Sequence, residues 1–416
     1  MDKVNIEEFI LYRDIFEDDI IRIVLNLLEN ESRKDQQDLL KSKYYLLQSL
    51  LLKNTESLVG SYWQRYLSEK IACSENAFSL ACEREKPHKN IVSIAEKEFR
   101  MIQELYNYDW TELAEKWGDK DTSLMIKGKR KDRESTRIHQ ILSNGDITDL
   151  RGYYTEKGCG IFSRFIAFKW HEKTGLSGIQ NYDKITFEDL TGYDEQKKQL
   201  MENTEYFLEG KKTNNILLYG DRGTGKSSSV KALLNKYKNR KLRMIEITKD
   251  QICSFPEIIK TIGQRGYRFI IFIDDLSFEE FETEYKYFKA ILEGGLEVKP
   301  ENTVIYATSN RRNIIKETWK DQDEIDNEMH ISDSIQEKIS LVDRFGITIT
   351  YPSPDKNLFL RIVSDIANKE QVQISEDTLY QEAMKWEMRY HGFSGRSARQ
   401  FMDYMVSKSN EYKVAE

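Results

Sequence analysis

Residues 215–237 read NILLYGDRGTGKSSSVKALLNKY, and the fold turns on this stretch. An apolar run of strand type over 215–219 meets eight residues that fit GxxxxGK[ST]: Gly220, Asp221, Arg222, Gly223, Thr224, Gly225, Lys226 and Ser227. From Lys226 the composition turns helical. Each part of the pattern has a chemical reason. Glycines let successive backbone N–H groups wrap phosphate oxygens at a helix N-terminus, Lys226 brings a cation to the β and γ phosphates, and the Ser227 hydroxyl can ligate Mg²⁺. Ser228, on the same first helical turn, joins the nucleotide-binding set. The motif predicts ATP and Mg²⁺ as cofactors; its bland alternative is a glycine-rich turn that only caps a helix.

Downstream, apolar runs at 242–247, 269–273, 304–308 and 347–350 alternate with charged helical stretches. Such runs imply a parallel sheet covered on both faces. The run at 269–273 ends in Asp274 and Asp275. Asp274 suits the hydration shell of a metal, and Asp275 suits orienting or deprotonating an attacking water. Two solvated acids at a turn are the alternative, and Glu279 and Glu280 fit a solvated helix face. The run at 304–308 leads into Asn310, whose amide would lie beside the phosphate loop, since ligands in such sheets bind outside the carboxyl ends of the strands. Taken alone, Asn310 is equally a turn residue.

Upstream the character differs. Phe9, Ile10, Tyr12, Ile15, Phe16 and Ile20, then Leu39, Leu40, Leu46, Leu47, Leu50 and Leu51, recur near a 3.6 period among charges. We expect a mainly helical N-terminal domain at 1–117, an irregular or linking subdomain at 118–180, an α/β nucleotide-binding core at 181–351 and a C-terminal helical lid at 352–416. Pro352 and Pro354 mark the hinge, and the lid's helical patterns cover 357–368, 377–389 and 395–409.

Composition narrows the classes. The 416 residues are 39% hydrophobic and 32% charged with only 5 prolines, a balance of packed, helix-rich protein. Lys plus Arg total 63 against 70 Asp plus Glu, so the net charge of −7 does not draw the whole molecule to phosphate backbones. A local patch is the only candidate for nucleic acid: Lys127, Lys129, Arg130, Lys131, Arg133 and Arg137 against Asp132 and Glu134. A solvated loop is its alternative, since no aromatic residues interleave. The acidic first residues and the lack of an apolar run near ~18 residues predict a cytoplasmic protein without a membrane partner. The 4 cysteines lie far apart without CxxC, so a disulfide framework or a zinc site is not expected.

The order of motifs resembles an AAA+ ATPase: phosphate loop, acidic strand, strand ending in asparagine, SLVDRFG at 340–346, and SGR at 394–396. More closely, LLYGDRGTGKSS, FIDDLSFE, LEGGLE, YATSNRR, ISLVDRFG and SGRSARQF resemble a bacterial family of uncharacterised AAA+-type ATP-binding proteins, a domain of unknown function. The resemblance spans about residues 162–407 and not the N-terminal half. It implies an α/β P-loop NTPase core with a parallel sheet and a helical lid. It also implies Asn310 as a γ-phosphate sensor, Arg344 as an arginine finger reaching a neighbouring subunit, Arg396 as a lid arginine, and residues 190–193 near adenine. A planar guanidinium suits charge spread over phosphoryl oxygens, although a surface ion pair is the plain reading of either arginine. Residues 248–262, TKDQICSFPEIIKTI, lack the aromatic-hydrophobic-glycine pore loop of protein-threading members. The acidic segment 320–328 reads as a solvated loop or a partner contact.

Three functions follow as alternatives. The first is an ATP-hydrolysing switch or remodeller working as a homo-oligomer with shared sites on an unknown protein client or adaptor. The second is a nucleotide-controlled binding module with little turnover, and the third, a small-molecule kinase, fits the separate arginine and the lid poorly.

Overall fold

The computed structural model describes residues 6–30, 34–54, 61–117, 123–125, 137–277, 283–293, 299–310, 342–372, 374–390 and 392–412. The chain divides into two compact units, Met1–Arg164 and Phe165–Glu416.

The first unit is helical: α1 (Asp19–Asn30), α2 (Gln37–Asn54), α3 (Tyr62–Ala72), α4 (Ala77–Glu83), α5 (Lys89–Tyr106), α6 (Thr111–Lys116), α7 (Arg137–Asn144), α8 (Ile147–Lys157) and α9 (Ile161–Arg164). Three of the described helices start where a short polar side chain satisfies otherwise orphaned N–H groups in a reciprocal box. Ser61 caps α3, Asn76 caps α4 and Asp146 caps α8, each in a reciprocal capping box. Apolar stripes such as Ile20, Ile21, Val24, Leu25 and Leu27 of α1 then face a common core.

This division differs from the boundaries expected at 117 and 180. Ile138, Ile141 and Leu142 of α7, with Leu150 and Tyr154 of α8, are buried in the same core as α1–α5. Their helical spacing sits between turn-rich segments that obscure it in the sequence. Residues beyond the division enter the sheet of the second unit instead.

Among the described residues that sheet has seven strands: β1 (Ala167–His171), β2 (Gly175–Gly178), β3 (Ile216–Gly220), β4 (Leu242–Ile247), β5 (Arg268–Ile273), β6 (Thr303–Ser309) and β7 (Ile347–Tyr351). Their order is β2-β1-β4-β5-β6-β3-β7, parallel throughout except that β2 runs antiparallel to β1. The central strands are buried along nearly their whole length, as strands covered on both faces must be, whereas β7 at one edge alternates. Helices α10 (Asp194–Leu208), α11 (Lys226–Tyr237), α12 (Phe255–Ile262) and α13 (Thr283–Glu293) accompany the sheet. The chain then forms α14 (Lys356–Lys369), α15 (Glu376–Tyr390) and α16 (Gly395–Tyr412), which share their own core of Phe359, Val363, Ala383, Phe401 and Met402. The fold is therefore an α/β P-loop NTPase core with a C-terminal helical lid, preceded by a helical unit.

The strand order matters for the site. Strand β6 lies between β3, which feeds the phosphate loop, and β5, which carries the two acids. The asparagine after β6 thus stands between the loop and the acids.

Candidate functional site

A cleft of about 1110 Å³ opens at the carboxyl ends of these strands. Its walls include phosphate-loop residues 222–229, Asp274, Asp275, Thr308 and Asn310, the segment 189–193, and Ile362, Ile366 and Arg396 from the lid. Of the residues singled out in the sequence, Lys226, Ser227, Ser228, Asp274, Asp275, Asn310 and Arg396 are all brought into one cleft.

The glycines of the loop are required by its geometry. Gly220 has φ +143°, and a Cβ there would lie 1.9 Å from the Tyr351 carbonyl oxygen at the end of β7. Gly223 has φ +74°, and its Cβ would press on Arg396 and Ser394 of the lid at about 3 Å. Only glycine fits both positions without strain. The loop is also tethered from outside, since the Ser353 hydroxyl at the lid hinge donates to Asp221 Oδ2 at 2.6 Å.

Within the cleft the polar groups form one connected chain. Lys226 Nζ donates to the carbonyl oxygens of Gly220 (2.9 Å) and Asp221 (2.6 Å) and to Asn310 Oδ1 (3.1 Å). Asn310 Nδ2 in turn donates to Asp275 Oδ1 at 2.5 Å. On the other side, the Ser227 and Thr308 hydroxyls both donate to Asp274 Oδ1, each at 2.5 Å. Burial pulls the Lys226 ammonium below its ordinary pKa, while the carboxylates of Asp221, Asp275 and Asp274 oppose the shift and Arg396 adds to it.

The residues fit Mg²⁺ with a nucleotide. A hydroxyl and a carboxylate meet at Ser227 and Asp274, and Mg²⁺ characteristically takes one or two protein oxygens, its remaining ligands being water and phosphate. Among the described residues no group of three or more His, Cys, Asp or Glu forms an all-protein metal cage.

At the other end of the cleft Leu190, Thr191, Gly192 and Tyr193 face Ile362 and Ile366 of α14. This apolar slot is held by polar ties: Thr191 Oγ1 donates to Asp365 Oδ2 (2.5 Å), Lys369 Nζ pairs with Asp189 Oδ1 (2.9 Å), and Tyr193 Oη donates to the Pro352 carbonyl (2.7 Å). The sequence motifs did not single out Asp365, Lys369 or Thr308. Thr308 ends the apolar run that forms β6, and its contacts with both acids arise only from the pairing of β6 with β5.

Arg344 is not among the cleft residues. It lies in the turn before β7 and makes an ion pair with Glu293 at the end of α13. Of the basic patch, Arg137 is described and pairs with Glu156 on α8, while Lys127, Lys129, Arg130, Lys131 and Arg133 lie outside the described residues. Glu279, Glu280 and the acidic segment 320–328 also lie outside them. The cysteines that are described are free thiols, and no helix of the described residues is long and apolar enough to cross a membrane.

Comparison with known proteins agrees with the second unit. A family model described as "Protein of unknown function (DUF815)" matches residues 163–409, more than half of the chain. No curated protein matches. Among solved structures, the RuvB Holliday junction branch migration motor of Thermotoga maritima is 12% identical, with a TM-score of 0.34 over 53% of this chain and 72% of that one. A point-substituted form of the same motor is 13% identical at the same TM-score and coverage. These values are too low for any role to pass from those proteins to this chain.

Proposed function

The chain belongs to the DUF815 family, and on that premise we propose that it binds Mg²⁺-ATP and hydrolyses the terminal phosphoanhydride, acting in the cytoplasm as an oligomeric switch or remodeller. The observation that carries this reading is the unbroken hydrogen-bond chain Ser227–Asp274–Thr308–Asp275–Asn310–Lys226, which joins metal-site, water-site and phosphate-site groups across three adjacent strands.

In this reading the loop N–H groups and Lys226 hold the triphosphate, and their charge opposes the negative charge that builds on it. Bound at Ser227 and Asp274, Mg²⁺ would withdraw charge from the phosphoryl oxygens. Asp275 orients a water toward the γ-phosphorus and accepts its proton as the bond to the ADP oxygen breaks. Asn310 holds Asp275 Oδ1 and keeps that carboxylate turned to the cleft. Arg396 reaches the nucleotide from the lid, so lid closure and phosphate binding are coupled. Arg344 serves the site of a neighbouring copy, which makes the active unit a homo-oligomer. The client is an unknown protein or adaptor, or a nucleic acid met through residues 127–137.

A second reading, a nucleotide-controlled binding module with little turnover, draws on Asp275 itself. Its side chain is a methylene shorter than glutamate, and one of its oxygens is already engaged by Asn310. A turnover assay on the purified chain separates the two. Calorimetry on Lys226→Ala tests the common premise: charge-assisted hydrogen bonds contribute ~1.5–3 kcal/mol, so ATP affinity should fall by ~10²-fold while the fold survives. Unchanged affinity would remove the cleft from consideration.

A further inference from the structure

We propose that Thr308 is a positioning residue, whose hydroxyl fixes Asp274 and Asp275 relative to one another; the inference rests on reading the cleft as a site for Mg²⁺-ATP. Thr308 is 2% exposed and sits near the end of β6, beside the β5 end from which both acids project. Its Oγ1 donates to Asp274 Oδ1 at 2.5 Å and accepts from the Asp275 N–H at 3.0 Å. A hydroxyl has one proton. With that proton committed to Asp274 and a lone pair to the Asp275 amide, the rotation of the hydroxyl is determined and the two acids are linked through one atom. A third bond, from the Leu276 N–H to the Thr308 carbonyl at 2.7 Å, binds the same turn to the same residue.

The turn needs such a hold. Asp275 has φ +53°, a left-handed conformation that a residue with a Cβ keeps only when its surroundings impose it. With its amide anchored to Thr308, the Asp275 side chain turns toward Asn310, which donates to Oδ1, while Asp274 stays with Ser227. Thr308 therefore decides which carboxylate serves the metal and which serves the water. Neither Ser227 nor Asn310 alone does this, since each touches only one of the two acids in these bonds.

Two substitutions isolate the hydroxyl. Thr308→Val keeps the branched shape in the strand and removes both side-chain bonds, whereas Thr308→Ser keeps the hydroxyl and removes the methyl. Amide hydrogen exchange at Asp275, measured on the full chain without nucleotide, should speed by at least about tenfold in the valine variant and stay within about twofold in the serine variant. Titrating Mg²⁺ against binding of a non-hydrolysable ATP analogue should require several-fold more metal in the valine variant alone. In the turnover assay kcat should fall at least about tenfold for valine, with KM for ATP changing less than about threefold, and serine should restore it. Unchanged exchange and unchanged Mg²⁺ dependence in Thr308→Val would overturn the inference, as would equal damage in Thr308→Ser, which would make the role one of methyl packing. If the parent chain binds Mg²⁺-ATP without turnover, the hydrolytic reading fails while the exchange and binding measurements still decide the role of Thr308.

Discussion

In the helical unit the buried Glu98 carboxylate serves the chain itself, accepting from the N–H groups of Ile10, Leu11 and Tyr12 at 2.8 to 3.1 Å. In the α/β unit Lys226 and Thr308 are as buried at the residue level, yet their polar atoms converge on the wall of an open cleft. Glu83 follows the first pattern, receiving bonds from the Cys159 amide and thiol at 3.1 and 3.3 Å. Buried polar groups must be paired wherever they occur, so burial by itself marks no site. What separates the two units is where the paired groups point.

Substitutions in the two units should change different properties. Arg344→Ala should leave ATP binding intact and lower turnover by ~10³-fold or more, the scale of a complete arginine finger. Mixing it with Lys226→Ala should return part of the activity, because some interfaces then pair an intact loop with an intact arginine. Normal hydrolysis by Arg344→Ala would leave its pair with Glu293 as a structural one.

The opposite test belongs to the helical unit. Glu98→Ala strands the N–H groups of Ile10, Leu11 and Tyr12, and should destabilise that unit by ~1–3 kcal/mol in denaturant unfolding with ATP affinity unchanged. An affinity change would blur the division drawn between the units.

The smallest effect concerns Asp18, which caps α1 through the Ile20 and Ile21 N–H groups and also meets Lys70 Nζ (2.6 Å) and Tyr66 Oη (2.7 Å). Burial would raise its pKa, but the bonds from Lys70, Tyr66 and Ile21 outweigh burial and hold it below the ordinary aspartate value. A lowered folded value stabilises above the unfolded pKa, and the contribution is lost as pH falls through the folded one. Asp18→Asn should therefore cost ~1 kcal/mol at pH 7, with the difference shrinking below about pH 4. A gap that does not change with pH would assign the effect to shape rather than charge.

The sequence was most readable where burial is symmetrical. The runs at 242–247, 269–273 and 304–308 coincide with β4, β5 and β6 to within a residue or so, because strands covered on both faces must be apolar throughout. It was least readable at β1 and β2. Their residues, AFKWH and GLSG, carry a lysine and two glycines, and they became strands through pairing with β4 and with each other. The site divides similarly. The phosphate loop, Asp274 and Asp275 are local in the chain, and their chemistry could be read directly. Arg396 lies 170 residues beyond Lys226, and only the family resemblance set it beside the loop. Thr308 closes an apolar run, and nothing local reveals that the two acids after the neighbouring β5 meet its hydroxyl.

If the cleft binds Mg²⁺-ATP and Asp275 handles the water, Asp275→Asn should separate binding from turnover. Binding by calorimetry and turnover by phosphate release should be measured on the same preparation, beside the parent. We expect Mg²⁺-ATP affinity within a few-fold of the parent and turnover reduced by ~10²-fold or more, the loss of a general base. Equal hydrolysis by variant and parent would contradict the assignment of Asp275 and move that role to another acid, Glu279 first.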